Sequence, residues 1–354
     1  MPKLNVLAVA IMVGVPACVP EPEPESSITT PLYTGHCDDN DCGNGNSPVI
    51  DGVYFWMLSS DKVPNDEGVV ITNVTRADDT PMRLVVELDK LLGKAPVTGA
   101  QLAVDEQLID TKIRVTVNGV PYRIRITDVT PTYDNSEQFW VGGHAGVQAY
   151  DFKYAPLYID PDSREERPGD EHPLCSLANN DPLDPLLRAI VFAGDTYDPF
   201  TKKVTVGADT AGWMNIACKD GAPYKMHLSG YTTAAAAKNI GVATTADERW
   251  AMLNAWTMSA CGWRGFGAGK TFTKPGVQIR LSESHGLLPT RGKYQPDGPT
   301  HEAIWGTDGA QCLDFHRMKT PKSDIERACL RTIPSCDGVW GDWLTVGTVR
   351  TSTL

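Results

Sequence analysis

The chain has 354 residues, 41% hydrophobic and 8% aromatic, enough for one large domain or two ordinary ones and too apolar for general disorder. A formal net charge of −12 turns the electrostatic attraction behind nonspecific DNA or RNA binding into repulsion, so no nucleic-acid partner is expected. The 32 glycines and 26 prolines predict many turns and loops.

Lys3 gives a short positive start, and Leu4 to Val15 is an apolar run without charge. It is shorter than the ~20 residues a membrane-spanning helix needs, but it has the length of a signal-peptide core. It ends at Val15-Pro16-Ala17-Cys18, where a small residue directly before a cysteine resembles a bacterial lipobox. Residues 1–18 are therefore read as a signal peptide with a lipobox. Cys18 becomes an acylated N-terminus and the lipid bilayer is the expected partner. Pro16 is an unusual occupant of such a box, and plain secretory cleavage near Ala17 is the alternative. Val19 rather than Asp follows the cysteine, which by resemblance to enterobacterial sorting favours the outer membrane. Setting Cys18 aside leaves an even set: Cys37, Cys42, Cys175, Cys218, Cys261, Cys312, Cys329 and Cys336. An exported chain keeps disulfides, and eight cysteines allow about 105 pairings, so their count alone fixes none of them.

Residues 19–47 read as a tether. The repeat Pro20-Glu21-Pro22-Glu23-Pro24-Glu25 combines fixed φ angles with mutual repulsion and is expected to be extended and stiff. Cys37-Asp38-Asp39-Asn40-Asp41-Cys42 follows, polar and expected to close on itself through a local Cys37–Cys42 bridge. From 48 to 155 the pattern is mostly β. Gly52–Leu58, Val69–Val74, Arg83–Leu88 and Val147–Tyr158 are strand-like runs. The clearest element is a hairpin. Ile113, Val115 and Val117 alternate with polar residues, Asn118-Gly119 supplies the two positive-φ positions of a tight turn, and Tyr122, Ile124 and Ile126 alternate on the return. One face is apolar and the other carries arginines, as in a sheet wet on one side.

The remainder, 156–354, is rich in cysteine. Asp160–Pro185 reads as a loop, and strands resume at Ala189–Phe192, Lys203–Val206 and Trp213–Cys218. The alanine run Thr232–Ile240 predicts a helix. A second helix opens with Thr245-Ala246-Asp247-Glu248, a capping box, and is expected to run to Cys261, apolar on nearly every side and therefore buried. Ser323-Asp324-Ile325-Glu326 reads as another capping box, opening a short helix near Cys329. The fold class is thus α+β and β-rich: an antiparallel N-terminal lobe, then a disulfide-braced β lobe with a buried helix.

Several blocks occur in the order of a known family: Pro173-Leu174-Cys175, Asn215-Ile216-Ala217-Cys218-Lys219-Asp220-Gly221-Ala222, the helix ending at Cys261, and Glu302-Ala303-Ile304-Trp305-Gly306-Thr307-Asp308-Gly309-Ala310-Gln311-Cys312-Leu313. Together with Asn46–Phe55 they resemble the ADYC-domain proteins, cysteine-rich predicted lipoproteins of myxobacteria and relatives. The family carries no established activity to transfer. Its namesake tetrad stands here as Met258-Ser259-Ala260-Cys261, so only the cysteine agrees. Members tend to have cysteines at Met226 and Met252, so the resemblance implies that these two methionines meet. It also leads us to expect Cys175–Cys218, Cys261–Cys312 and Cys329–Cys336.

No catalytic, cofactor or metal motif is convincing. Gly265–Thr271 looks like a phosphate loop, but Arg264 stands where the first glycine belongs. Asp38, Asp39, Asn40, Asp41, Asn44 and Asn46 offer oxygens to calcium without the twelve-residue spacing or a closing Glu, and a solvated acidic loop is the plainer reading. The seven histidines show no i, i+4 pair, and His301-Glu302, adjacent on a strand, should face opposite ways. Ser282, Glu283 and His285 are close in sequence without a sign of convergence. Trp340-Gly341-Asp342-Trp343 is either a stacking platform or ordinary core. The expected role is a membrane-anchored, non-enzymatic structural or binding protein. An extracytoplasmic hydrolase with an unrecognised Asp, Glu or His site and a calcium- or glycan-binding module are the alternatives.

Overall fold

The structure, a computed structural model, describes residues 47–87, 89–130, 147–175, 188–198, 202–206, 212–219, 221–228, 230–232, 242–262, 279–283, 300–314, 320–345 and 347–353. Cys18, the tether up to residue 46, the expected Cys37–Cys42 bridge and the acidic loop lie outside these residues. So do the phosphate-loop-like segment and all but Thr232 of the alanine run.

The fold is built on a nine-stranded, antiparallel sheet. Seven of its strands run in space as Met57–Ser59, Trp213–Cys218, Ala189–Ala193, Ala149–Ile159, Val120–Thr130, Lys112–Val117 and Val69–Thr75, and two short ones pair with Ala149–Ile159 off this path. The hairpin forms in the expected register, with Val117 opposite Val120 and Ile113 opposite Ile124. Asn118 (φ 49°) and Gly119 (φ 88°) make its turn. The first and last strands in this order are consecutive in sequence, and the Asn65 side chain bridges them. Its Nδ2 donates to the Met57 carbonyl at 2.9 Å and its Oδ1 accepts from the Val69 N–H at 2.7 Å.

The arginine face is not simply wet. Asp160–Pro185 was expected as a loop, yet Glu166–Pro168 and His172–Pro173 pair with Ala149–Ile159 as short strands. The reason is electrostatic: Glu166 meets Arg114, and Glu171 meets both Arg123 and Arg125.

Central strands of the large sheet are buried on both faces. Ala189 and Val191 join a core that includes Ile113, Val115 and Ile124, together with Leu84, Leu91 and Ala103 from a three-stranded sheet. Ile190 and Phe192 point the other way, into a core shared with two helices, α1 (Ala222–Leu228) and α2 (Ala246–Thr257). The same core takes Leu281, Ala303, Trp305 and Val349 from a four-stranded sheet ordered Ile279–Glu283, Val349–Thr353, Thr300–Gly306, Gly309–Leu313. The helix pair therefore lies between the two sheets.

Helix α2 opens on the expected capping box: Thr245 accepts from the Glu248 N–H, and Glu248 reaches back to the Thr245 N–H at 2.7 Å. It stops at Thr257 rather than Cys261. Met258 turns left-handed (φ 54°), which lets Ala260 present its carbonyl to the Ala310 N–H at 3.0 Å. The second expected box does not form. Helix α3 (Lys322–Cys329) starts after Pro321, so Ser323 lies inside it, and the Glu326 carboxylate accepts from the Ile333 N–H instead.

Three disulfides brace this body. Cys175–Cys218 is the expected pair. The other two correct the expectation: Cys261 joins Cys329 and Cys312 joins Cys336. The physical reason is the sheet between them. Cys261 and Cys329 lie in the core on the helix side, whereas Cys312 and Cys336 lie in a small cluster on the opposite face with Ile304 and Trp343. Met226 and Met252 are both fully buried in the helix-side core. Crosslinks of this kind persist outside the reducing cytosol and point to an extracytoplasmic protein.

Candidate functional site

The outer face of the four-stranded sheet gathers the polar groups of most interest. Ile304 belongs to its small apolar cluster, and His301 stacks on Trp340 beside that cluster, 3.9 Å between ring centroids at 16°. On a regular strand two residues three apart face opposite ways. Here the register slips by one between His301 (opposite Ser352) and Ala303 (opposite Thr351). This bulge brings His301 round to the face of Ile304.

Two carboxylates meet it there. Asp314 follows the strand Gly309–Leu313; its N–H donates to the Glu302 carbonyl at 2.9 Å, and its Oδ2 accepts from the Cys336 N–H at 2.8 Å. Asp337 follows Cys336, and its Oδ1 lies 4.0 Å from Nδ1 of His301. One ligand atom from each of His301, Asp314 and Asp337 lies within 4.8 Å of the others. Fully buried Glu302 is not among these gathered ligands. The chemistry on offer is an imidazole nitrogen and two carboxylates, able to hold a proton between them or to face a cation.

Trp340 borders this site, and Trp343 belongs to the small apolar cluster beside it. Arg350 lies over both Trp340 and Trp343, 5.1 and 5.3 Å from their ring centroids, and Trp343 is buried. Trp305 is core, donating from Nε1 to Thr351 Oγ1 at 2.9 Å.

Several other titratable groups are internal. Arg249 holds Asp195 through two parallel bonds (Nε to Oδ2 2.6 Å, Nη2 to Oδ1 2.8 Å), and Tyr197 donates to the same carboxylate at 2.9 Å. Burial, then the Asp195 charge, pushes the Tyr197 hydroxyl far above its ordinary range. His227 Nε2 lies 3.1 Å from Asp89 Oδ1 with both side chains closed to solvent, and its ring stacks on Phe192 at 4.3 Å. Burial draws the Lys202 ammonium down to about 8, and its Nζ sits 4.8 Å over the Trp56 ring. Ser282 and Glu283 lie on the strand Ile279–Glu283; Ser284 and His285 fall outside the described residues.

Met258–Cys261, the segment matching the namesake tetrad, is a structural joint. Arg331 Nη2 reaches the carbonyls of Ala260, Asp308 and Ala310 at 3.2, 2.8 and 2.7 Å. Gly262 and Gly309, both at positive φ, bring two turns into backbone contact: a Cβ on Gly262 would lie 2.3 Å from the Asp308 carbonyl carbon, and one on Gly309 2.3 Å from the Ala260 oxygen. Residues 105–319 match the model of the ADYC domain. No curated protein and no solved structure matches the chain.

Proposed function

The chain belongs to the ADYC-domain family, and from that premise we propose that it is a lipid-anchored protein of the cell envelope with a structural or binding role. The observation that carries this reading is the division of labour among its sulfurs. All six cysteines of the described residues are spent as crosslinks, while Cys18 stands alone behind an apolar run and ahead of a stiff Pro/Glu segment. Acylated there, the chain would be held by Cys18, and the tether would lift the braced body off the lipid. Placement in the outer membrane follows from Val19.

The interior charges are used structurally. Asp195 with Arg249, and Asp89 with His227, are closed to solvent and face each other, so no substrate reaches them. They act as pins between elements.

Metabolic labelling with a fatty acid tests the anchor. The full chain, expressed in a Gram-negative host, should take up label and fractionate with membranes. Cys18→Ser should lose the label. An unlabelled wild-type chain in the cytosol, with every thiol open to alkylation, would sink the reading.

A further inference from the structure

We propose that His301, Asp314 and Asp337 form a binding site for a divalent transition cation, with Zn²⁺ as the cation of best fit. The inference goes beyond the anchoring role and does not depend on it.

The three residues are far apart in sequence and come from three different pieces of chain, so they are not a local run of acid. Two separate devices bring them together. The bulge after His301 turns the imidazole to the outer face, a use to which bulges beside functional sites are put. The Cys312–Cys336 disulfide then fixes the two carboxylates, because Asp314 lies two residues beyond one cysteine and Asp337 one beyond the other.

Two of the three donors are also oriented. The Cys336 N–H holds Asp314 by Oδ2, and Trp340 covers one face of the His301 ring. Such outer contacts preset ligand geometry. Asp337 is the loose member. Its side chain is 88% exposed against 34% for His301. The 4.0 Å between His301 Nδ1 and Asp337 Oδ1 exceeds the roughly 3.3 Å that separates two ligands of a tetrahedral zinc. A small rotation of that exposed carboxylate closes the gap.

The donor set selects the metal. Calcium takes six to eight oxygens, more than this site presents, and gains nothing from an imidazole. One imidazole with carboxylates suits zinc and its neighbours. Two carboxylates offset the 2+ charge, and three protein ligands leave the fourth position to water. The competing account of the same geometry is a contact between His301 and Asp337 with no metal bound.

Calorimetric titration of the full, oxidised chain with Zn²⁺ after chelator treatment separates the two, with tryptophan fluorescence as a second readout. We expect one equivalent of zinc and a change in Trp340 emission as its stacked partner is metallated. His301→Ala and Asp337→Asn should each weaken binding by about tenfold or more. Because Asp337 is exposed, Asp337→Asn should melt like the wild type without zinc, which separates ligand loss from misfolding, and Asp337→His should restore affinity. Three results would overturn the proposal: no zinc bound by the wild type, binding unchanged in His301→Ala and Asp337→Asn, or calcium bound in preference to zinc.

Discussion

The nine-stranded sheet and the four-stranded sheet pack on opposite sides of the same helices, yet different forces hold them. The large sheet has two paired strands of 11 residues, Val120–Thr130 and Ala149–Ile159, and a broad apolar interior on one face in which the Cys175–Cys218 disulfide is a small part. The outer face of the small sheet has a cluster of only Ile304, Cys312, Cys336 and Trp343. Two of these four residues are one disulfide. So few side chains bury little area on that face, and the crosslink adds to what they supply. Closing a loop of separation 24 is worth about 3.4 kcal/mol in the chain-entropy picture. Covalent bracing of this kind leaves the surrounding surface free to carry polar groups, and it is on that face that His301, Asp314 and Asp337 meet.

The sharpest way to break the comparison is to cut what joins the regions. Arg249 on α2 pairs with Asp195, which follows a strand of the large sheet. Arg249→Leu leaves a buried carboxylate without its partner and should cost about 3–5 kcal/mol. Thermal unfolding should move as one transition, and Asp195→Asn in the same chain should recover part of the loss. A change under ~1 kcal/mol would show that the pair does not pin the helix.

Next in size is the double variant Cys312→Ala/Cys336→Ala, expected to lose about 3 kcal/mol. Hydrogen exchange should quicken in 300–314 while 112–130 stays protected. Equal loss of protection in both would mean that the sheets form one cooperative unit and differ only in appearance.

The smallest effect concerns pH and the large sheet alone. The hydrogen bond from Arg125 holds Glu171 below its ordinary 4.5, with the Arg125 and Arg123 charges helping against partial burial. A depressed folded value contributes stability above the unfolded pKa and loses it as pH falls through the folded one. Because the site is partly solvated, screening keeps the contribution under about 1 kcal/mol. Glu171→Gln should flatten the acid limb of the stability curve by that amount. An unchanged acid limb would make the ion pair ornamental.

These contrasts also explain what could be read from the sequence. The hairpin at Asn118-Gly119 and the capping box at Thr245 were legible because local chemistry decides them. Arg114, Arg123 and Arg125 were seen as a charged face, but the strands that neutralise them needed the fold. Two of the three expected disulfides, Cys261–Cys312 and Cys329–Cys336, failed for the same reason. Sequence order does not say on which side of a sheet a cysteine falls, and that alone separates Cys261 from Cys312. Had the Cys312–Cys336 pair been known, the approach of Asp314 to Asp337 would have followed. The bulge that adds His301 leaves no mark in residue types.

The touching turns at Gly262 and Gly309 carry a consequence for divergence. Neither position can acquire a side chain while the other turn stays where it is. The two sites, 47 residues apart in the chain (309 − 262), are therefore obliged to drift in concert. A descendant that abandons one glycine should show a remodelled loop at the other, a linkage that comparing these two positions across its relatives would detect without coordinates.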